Sequence, residues 1–220
     1  MDKNPFSAGR WVYGVDFFGR RELIQSLLDP DESCNWVIGT RRIGKTSLLR
    51  QLEYVANRRP EIFALYWDIQ GSYDSSGLFD HLLDALEDSR DTNPETWNDF
   101  EFEPDEDSDC PHVLKQLARA LNRAGRRLIL LIDEGEELIN VGKQDPVLLS
   151  KLRRFFQSTR NTQTVIASTP RLETLYKTME METSPFLHGF TVSYLGNLNA
   201  EDGQALLARG FDSGAVRDRL

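Results

Sequence analysis

Residues 37–52 read VIGTRRIGKTSLLRQL, and the order of residue types in this stretch points to one kind of loop. Apolar residues lead into a glycine, four residues, a second glycine, a lysine and a threonine, and an apolar pattern of helical spacing follows. This GxxxxGK[ST] spacing predicts a phosphate-binding loop between a strand and a helix. Glycines allow close backbone approach, so successive N–H groups and the N-terminus of the helix point at one anion.

The side chains of this loop carry specific expectations. Lys45 is expected to bridge the β- and γ-phosphates of a nucleotide, and the Thr46 hydroxyl is expected to bind Mg²⁺. Arg41 and Arg42 leave an alternative open, because either one could contact phosphate or a partner. The residues expected to bind the nucleotide here are Gly39, Thr40, Arg41, Arg42, Ile43, Gly44, Lys45, Thr46 and Ser47.

Strand-like and helix-like patterns alternate along the rest of the chain. Short apolar runs rich in β-branched and aromatic residues predict strands at residues 34–39, 61–70, 127–133, 164–170 and 190–198. Apolar residues at helical spacing predict helices at residues 20–29, 45–57, 75–88, 111–125, 145–159, 171–179 and 199–210. The alternation predicts a three-layer α/β/α sandwich around a mainly parallel sheet.

Composition narrows the classes of function. The chain has 220 residues, a net charge of −9 and two cysteines, which we expect to be reduced structural thiols. The sequence shows neither a secretory signal pattern nor an apolar run of the roughly 20 residues that cross a bilayer. We therefore expect a cytoplasmic protein without a membrane partner. Nucleic acid is a less favoured partner, because phosphate attraction needs clustered basic residues.

The negative charge is concentrated in one segment. Residues 84–109 contain twelve acidic side chains and one basic side chain, a net of −11, so the remainder of the chain is near +2. Because like charges repel, residues 89–110 are expected to form a mobile, solvated insertion. A docking surface for a basic partner is the alternative.

Two acidic residues end the predicted strand at residues 127–133. Ligands of open α/β sheets bind at the carboxyl ends of the strands, which is where Asp133 and Glu134 are expected to lie. Asp133 is expected to hold Mg²⁺, and Glu134 is expected to orient and polarise an attacking water. Glu136 and Glu137 are expected to form a solvated turn.

A third group of candidates follows the predicted strand at residues 164–170. Ser168 and Thr169 lie at its tip, where a hydroxyl can hold the attacking water. Arg171 can sense the γ-phosphate, because guanidinium pairs geometrically with phosphate. The alternatives are a strand-end cap for Thr169 and a plain surface charge for Arg171.

Four blocks of sequence, in this order, resemble a known group of proteins: FFGRRELIQSLL, VIGTRRIGKTSLL, LILLIDEGEEL and TVIASTPRL. They resemble the AAA+-related P-loop ATPases of the STAND type, together with bacterial and archaeal AAA-like ATPase domains and the ORC/Cdc6 branch. The resemblance covers about residues 5–200. It implies ATP and Mg²⁺ binding, often slow hydrolysis, and a five-stranded P-loop NTPase core in which the strand before the loop is central.

The resemblance also implies a place for the first block. That block is similar to the family segment over the adenine, so Phe18, Gly19 and Arg20 are expected near the base and ribose. Family members usually continue into a helical lid and a winged-helix domain, and the roughly 20 residues after YLGNL are too few for either. The implied domains are a nucleotide-covering segment at 1–19, an ATPase domain at 20–200 with its acidic insertion at about 89–110, and the start of a truncated or missing lid at 201–220.

Three functions remain as candidates. The leading one is a Mg²⁺-dependent ATPase that acts as a STAND-like regulatory switch, with ATP or ADP and other protein domains or subunits as partners. The others are an ORC/Cdc6-like DNA-associated ATPase and a nucleotide-binding interaction module with little hydrolysis. A small-molecule kinase is disfavoured, because the sequence shows no obvious substrate lid.

Overall fold

The computed structural model describes residues 9–173 and 187–212, and its centre is one parallel five-stranded sheet. The strands are β1 (Cys34–Gly39), β2 (Ile62–Asp68), β3 (Arg127–Asp133), β4 (Thr162–Ser168) and β5 (Thr191–Leu195). Their order across the sheet is β2-β3-β4-β1-β5, and every neighbouring pair is parallel. The predicted α/β fold is confirmed. The expectation that β1 is central is corrected, because β4 holds the middle position and β1 lies between β4 and β5.

Helices cover both faces of this sheet. They are α1 (Arg21–Leu27), α2 (Lys45–Ala56), α3 (Ser75–Thr92), α4 (Cys110–Arg123), α5 (Glu137–Gln144), α6 (Pro146–Ser158) and α7 (Ala200–Asp212). The short helix α5 was not expected, because the sequence there was interpreted as a solvated turn. Most of the helix predicted at residues 171–179 lies outside the described residues.

Alternate strand residues supply two separate apolar layers. On β1, Trp36 belongs to the layer under α3, α4 and α6, whereas Val37 belongs to the layer under α1 and α2. Both strand faces are buried, which is why the strands consist of nearly continuous apolar runs. This arrangement aligns the carboxyl ends of β1, β3 and β4 at one edge of the sheet.

Aspartates begin three of the helices. Asp74, Asp109 and Asp145 each accept a hydrogen bond from a backbone N–H in the first turn of α3, α4 and α6, respectively. Such a side chain satisfies a donor that has no partner within the helix.

The acidic segment differs from the expected mobile loop. Helix α3 continues to Thr92, and a 3-10 helix at Pro94–Trp97 follows. The Trp97 ring lies edge-on to Phe63 of β2 at 4.9 Å and stacks on Phe100 at 5.4 Å, while Phe102 is 9% exposed. The expectation of a solvated insertion is therefore wrong for this aromatic part, which packs on the core and leaves the acidic side chains outside.

Both cysteines are buried free thiols, as expected. Burial, with a smaller contribution from the charge of Asp109, raises the pKa of the Cys110 thiol to about 12. Such a thiol is protonated at neutral pH and unreactive. Within residues 9–173 and 187–212, none of the helices has the length and apolar character needed to span a bilayer.

Candidate functional site

The phosphate-binding loop leaves β1 through a glycine that admits no side chain. A Cβ atom on Gly39 would lie 2.7 Å from the Ile43 side chain, so the loop folds tightly over the strand end. Gly44 has a φ of +100° and Arg42 a φ of +64° in the turns before α2. No side chain caps the start of α2. The N–H groups of its first turn are therefore free to bind an anion.

Lys45 is the buried cation of this loop. Its side chain is 6% exposed, and its Nζ donates one long hydrogen bond of 3.4 Å to the Thr40 carbonyl. A buried charge is costly unless an opposite charge or several hydrogen bonds satisfy it. The site therefore fits an anionic group next to Nζ. Arg41 and Arg42 are exposed at the outside of the loop.

A carboxylate from β3 meets the start of α2. The Thr46 hydroxyl donates to Asp133 Oδ2 at 2.6 Å, and the Tyr66 hydroxyl donates to the same oxygen at 3.0 Å. The backbone N–H of Glu134 donates to Asp133 Oδ1 at 3.0 Å. Burial raises the pKa of Asp133, and these hydrogen bonds oppose the rise. The structure thus brings together Thr46 and Asp133, the two predicted metal-binding residues.

This pair fits a magnesium ion in its donor chemistry. Hydroxyl and carboxylate oxygens are the ligands that Mg²⁺ prefers, and the ion commonly takes only one or two from protein. The described ranges contain no cluster of three or more His, Cys, Asp or Glu side chains able to hold a metal ion by themselves. A Mg²⁺ ion here would therefore complete its shell with phosphate oxygens and water.

Glu134 lies in a different environment from its neighbour Asp133. Its φ is +53°, a left-handed conformation that is costly for a residue with a side chain, and such strain clusters at functional sites. The next N–H, of Gly135, donates to the Ala167 carbonyl at 2.9 Å and holds this turn against β4. Burial, followed by the charges of Glu136 and Asp133, raises the pKa of Glu134, while Lys45 opposes the rise.

Glu136 binds the tip of β4, so its expected place in a solvated turn is wrong. Its Oε1 accepts from the Thr169 hydroxyl at 2.8 Å, and its Oε2 accepts from the Thr169 N–H at 3.2 Å. Ser168 is fully buried, and its hydroxyl accepts from Trp36 Nε1 at 2.8 Å. Of the two candidate hydroxyls, Thr169 is therefore the less buried, at 8% exposed, and it is the one that contacts Glu136. Arg171 is exposed just beyond it.

Glu136 and Tyr66 are the residues of this site that sequence analysis missed. The Glu136–Thr169 contact joins residues 33 positions apart, and the Tyr66–Asp133 contact joins residues 67 positions apart. No local spacing encodes such contacts. A usable signal was the hydroxyl of Tyr66 within a buried strand, since a buried hydroxyl needs a hydrogen-bond partner.

A cavity of about 230 Å³ opens beside the phosphate-binding loop. Phe18 and Arg20 line it from one side, and Gly44 and Ser47 line it from the other. Arg20 donates to the carbonyls of Ile43 at 3.2 Å and Gly196 at 2.8 Å, which joins the loop to the segment after β5. Phe18 and Arg20 therefore border a cavity that begins at the phosphate-binding loop.

The neighbouring Gly19 has a packing role. Its φ is +74°, and a Cβ atom there would clash with the Asp202 side chain of α7. The segment before it is tied to α2, because the Val12 N–H donates to the Ser47 hydroxyl at 3.1 Å and the Gly14 N–H donates to Gln51 at 2.6 Å.

Helix α7 closes the far side of this cavity. Leu206 and Arg209 of α7 line it, and Arg209 donates to the Val15 carbonyl at 2.8 Å and forms an ion pair with Asp16. Its guanidinium carbon lies 5.8 Å from the centre of the Phe18 ring. The residues after β5, although few, therefore already cover the cavity.

Comparison with known protein families identifies the domain. The family model described as AAA domain matches residues 30–176, a stretch that includes the phosphate-binding loop and the ends of β3 and β4. The chain belongs to the AAA domain family. It is a P-loop ATPase domain of the AAA type. No curated protein matches it.

Solved structures show the same fold as this AAA domain at low sequence identity. The Walker-type ATPase of Pyrococcus abyssi is 19% identical with a TM-score of 0.76, over 97% of this chain and 63% of that one. The ORC2 protein of Aeropyrum pernix, in ADPNP-ADP complexes, is 11% identical with a TM-score of 0.66, over 96% and 56%. Drosophila ORC bound to DNA is 21% identical with a TM-score of 0.60, over 87% and 45%. The AAA domain thus spans about half the length of the chains it resembles.

Proposed function

We propose that this AAA domain binds ATP with Mg²⁺, hydrolyses it slowly and serves as a nucleotide-dependent regulatory switch of the STAND type. The observation that carries the proposal is the 2.6 Å hydrogen bond between Thr46 and Asp133. It joins the first turn of the helix after the phosphate-binding loop to the carboxylate at the end of β3. Each group alone has many structural uses, but the two in contact form a site for a metal-bound phosphate.

The proposed binding roles follow from the contacts around the loop. The Lys45 ammonium and N–H groups of residues 39–47 hold the phosphates. The ammonium is buried with one long hydrogen bond, and no side chain caps the first turn of α2. Thr46 and Asp133 would hold Mg²⁺, which neutralises charge on the phosphate oxygens when it is bound. Phe18 and Arg20, on either side of Gly19, face the base and ribose from the cavity.

Hydrolysis is assigned to the residues next to the metal site. Glu134 orients a water molecule and accepts the proton that this water loses. The water oxygen attacks the γ-phosphorus, and the bond from that phosphorus to the ADP oxygen breaks. Thr169, held by Glu136, presents its hydroxyl to that water. Arg171 contacts the γ-phosphate from the exposed side. We propose slow turnover, because Arg171 is exposed, whereas Lys45 is buried.

The switch role is supported by the contact between the cavity and α7. Arg209 reaches Asp16 and Val15 of the covering segment, so a nucleotide in the cavity touches both elements. We propose the domain limits accordingly as a covering segment at 1–19, an ATPase domain at 20–200 and the start of a lid at 201–220. Other domains or subunits that read the position of this lid would be the protein partners.

The test is calorimetric binding of ATP and ADP with Mg²⁺, with a phosphate-release assay on the same sample. Lys45→Ala should lower ATP affinity by at least about 100-fold, because the buried ammonium is the main counter-charge of the phosphates. The matched control is Lys143→Ala, an exposed lysine on α5 that should leave affinity unchanged. Unchanged affinity in Lys45→Ala would overturn the proposal.

A DNA-associated function of the ORC/Cdc6 kind is the second candidate, because ORC proteins, one of them bound to DNA, share the fold. The net charge of −9 opposes it. Duplex DNA binding that weakens steeply with salt would favour this candidate over a switch that works through protein contacts alone.

A further inference from the structure

Tyr66 is a buried hydroxyl that holds the metal-site carboxylate from the neighbouring strand. It lies on β2, is 7% exposed, and donates to Asp133 Oδ2 at 3.0 Å. In the strand register it pairs with Leu131, two residues before Asp133. The hydroxyl therefore approaches Asp133 from the side, across the sheet, and not along the loop that carries Thr46.

The Tyr66 ring is itself held in place by Arg50 of α2. The Arg50 guanidinium carbon lies 3.5 Å from the centre of the Tyr66 ring and 5.1 Å from the centre of the Trp11 ring. Arg50 also forms an ion pair of 2.9 Å with Glu53, which is 8% exposed. This cation, stacked between two rings and paired with a buried acid, has little freedom to move, so it restricts the Tyr66 ring as well.

Asp133 Oδ2 accepts hydrogen bonds from the Thr46 and Tyr66 hydroxyls, which differ in what else they are proposed to bind. Under the proposed function the Thr46 oxygen also binds the metal, so the Thr46–Asp133 hydrogen bond is itself part of the site that has to be kept in shape. Tyr66 lies on β2, outside the phosphate-binding loop, and its hydroxyl donates to Asp133 without being a proposed ligand of the metal. The backbone N–H of Glu134 holds the other oxygen, Oδ1.

We propose that Tyr66 is a positioning residue that keeps Asp133 directed at the Mg²⁺ site, and that Arg50 holds the Tyr66 ring for this purpose. The inference rests on the proposed function, since it concerns how the metal site of that function is kept in shape. It adds β2 and α2 to the elements that determine metal affinity.

The experiment is a Mg²⁺ titration of ATP binding, read by calorimetry, on the whole chain and its Tyr66→Phe variant. Phenylalanine keeps the ring under Arg50 and removes only the hydroxyl. A hydrogen bond to a charged group is worth roughly a tenfold change in an equilibrium constant, so the Mg²⁺ concentration for half-maximal binding should rise about 10-fold. ATP binding in the presence of a metal chelator should not change.

The control is Tyr54→Phe, a tyrosine on α2 whose ring packs on Tyr13 away from the metal site. It should leave the Mg²⁺ requirement as it is. A merely structural role of Tyr66 would weaken binding equally with and without the metal, and that result would overturn the inference. If the unchanged chain shows no Mg²⁺-dependent ATP binding, the proposed function fails together with the inference. If the unchanged chain shows Mg²⁺-dependent ATP binding and Tyr66→Phe has the same Mg²⁺ requirement, the inference fails and the proposed function stands.

A double-mutant cycle tests the same contact without nucleotide. Tyr66→Phe should lower the urea midpoint in the unchanged chain but have a clearly smaller effect in the Asp133→Asn background, because the charged acceptor is gone. The same cycle applied to the Mg²⁺ titration should show the two changes coupled. Fully additive effects in both measurements would contradict a positioning role through Asp133.

Discussion

Asp133 and Glu134 are adjacent in the chain, yet the structure gives them different chemistry. Asp133 is buried and accepts three hydrogen bonds, so both of its oxygens have fixed directions. Glu134 itself has a positive φ and is half-buried, and the positive charge of Lys45 opposes the rise in its pKa. The pKa of both carboxyl groups is raised, so it is the three hydrogen bonds of Asp133 that separate the two residues. A carboxylate fixed in this way suits a metal ligand, whereas the half-buried Glu134 suits the acceptance of a proton from water.

Replacement of Glu134 by glutamine separates binding from hydrolysis. Glu134→Gln keeps the size of the side chain but removes the proton acceptor, so phosphate release should slow by about 100- to 10,000-fold while ATP affinity is retained. Single-turnover phosphate release and calorimetry on the same preparation measure the two quantities. Glu137→Gln, three residues further on in α5, is the matched control. Equal turnover in Glu134→Gln and the unchanged chain would favour a passive nucleotide-binding module.

Among the elements, α4 begins at an aspartate that has two favourable contacts. Asp109 accepts from the His112 N–H and pairs with Lys151 of α6 at 2.8 Å. Partial burial raises the pKa of Asp109, but the hydrogen bonds from Lys151 and from the His112 N–H outweigh it, so this pKa lies below its usual value. The charged carboxylate therefore stabilises the folded state at neutral pH.

Removal of this cap should destabilise the domain in a pH-dependent manner. Asp109→Ala should lower the free energy of unfolding by about 1 kcal/mol at pH 7. Because the pKa of Asp109 is lower in the folded state, its stabilising effect is complete above its pKa in the unfolded chain, about 3.9. The effect is lost as the pH falls through the pKa in the folded state. Urea unfolding at pH 7 and at a pH below about 3 measures this effect. The difference in free energy of unfolding between the unchanged chain and Asp109→Ala should be smaller at the acid pH. Asp107→Ala, an exposed neighbour, should change neither.

The acidic segment is held by its aromatic residues. Phe102 belongs to the apolar layer under α3 and α4, and Arg90 of α3 donates to its carbonyl. The acidic side chains on either side of it are exposed, as for Glu101 and Glu103. This alternation of apolar and acidic residues places the rings on the core and the charges in water.

Truncation of Phe102 tests whether the segment is part of the core. Phe102→Ala should lower the free energy of unfolding by about 2–4 kcal/mol, because a buried phenylalanine leaves a cavity behind. The measurement is urea unfolding, with Glu101→Ala as the exposed control. A change below about 0.5 kcal/mol in Phe102→Ala would mean that the segment is a solvated insertion after all.

At the scale of the whole molecule, α7 and the segment before α1 line the cavity beside the phosphate-binding loop. Asp16 and Arg209 are 193 positions apart in sequence and form an ion pair across it. Both side chains are partly exposed, so the pair is a modest contribution to stability. Its position over the cavity makes the rate of nucleotide release the property that it should affect most.

Arg209→Ala should therefore accelerate the release of ADP. Loss of the ion pair and of the hydrogen bond to Val15 is worth about 1 kcal/mol, or roughly a 5-fold faster dissociation. Stopped-flow displacement of a fluorescent ADP analogue measures the rate, and Arg123→Ala on the exposed side of α4 is the control. An unchanged rate in Arg209→Ala would show that α7 does not retain the nucleotide.

Local sequence was sufficient for the fold class, for the phosphate-binding loop and for two residues that are in contact at the site, Thr46 and Asp133. The loop was predictable because the GxxxxGK[ST] spacing reflects backbone requirements within eight consecutive residues. Asp133 and Thr46 were predictable as partners because parallel strands end at one edge of a sheet, which a strand pattern already implies.

The remaining features depend on contacts between distant parts of the chain. The sequence predicts a solvated Glu136, but in the fold Glu136 contacts Thr169 at the end of β4. The sequence also predicts a solvated acidic segment, but its aromatic rings pack on Phe63 of β2. Tyr66 and α7 joined the site for the same reason, since a hydrogen bond across strands or an ion pair between the two ends has no sequence period. The amino-acid sequence determines the local backbone geometry of this domain and its phosphate-binding loop. Long-range packing determines which side chains orient the metal site and close the cavity.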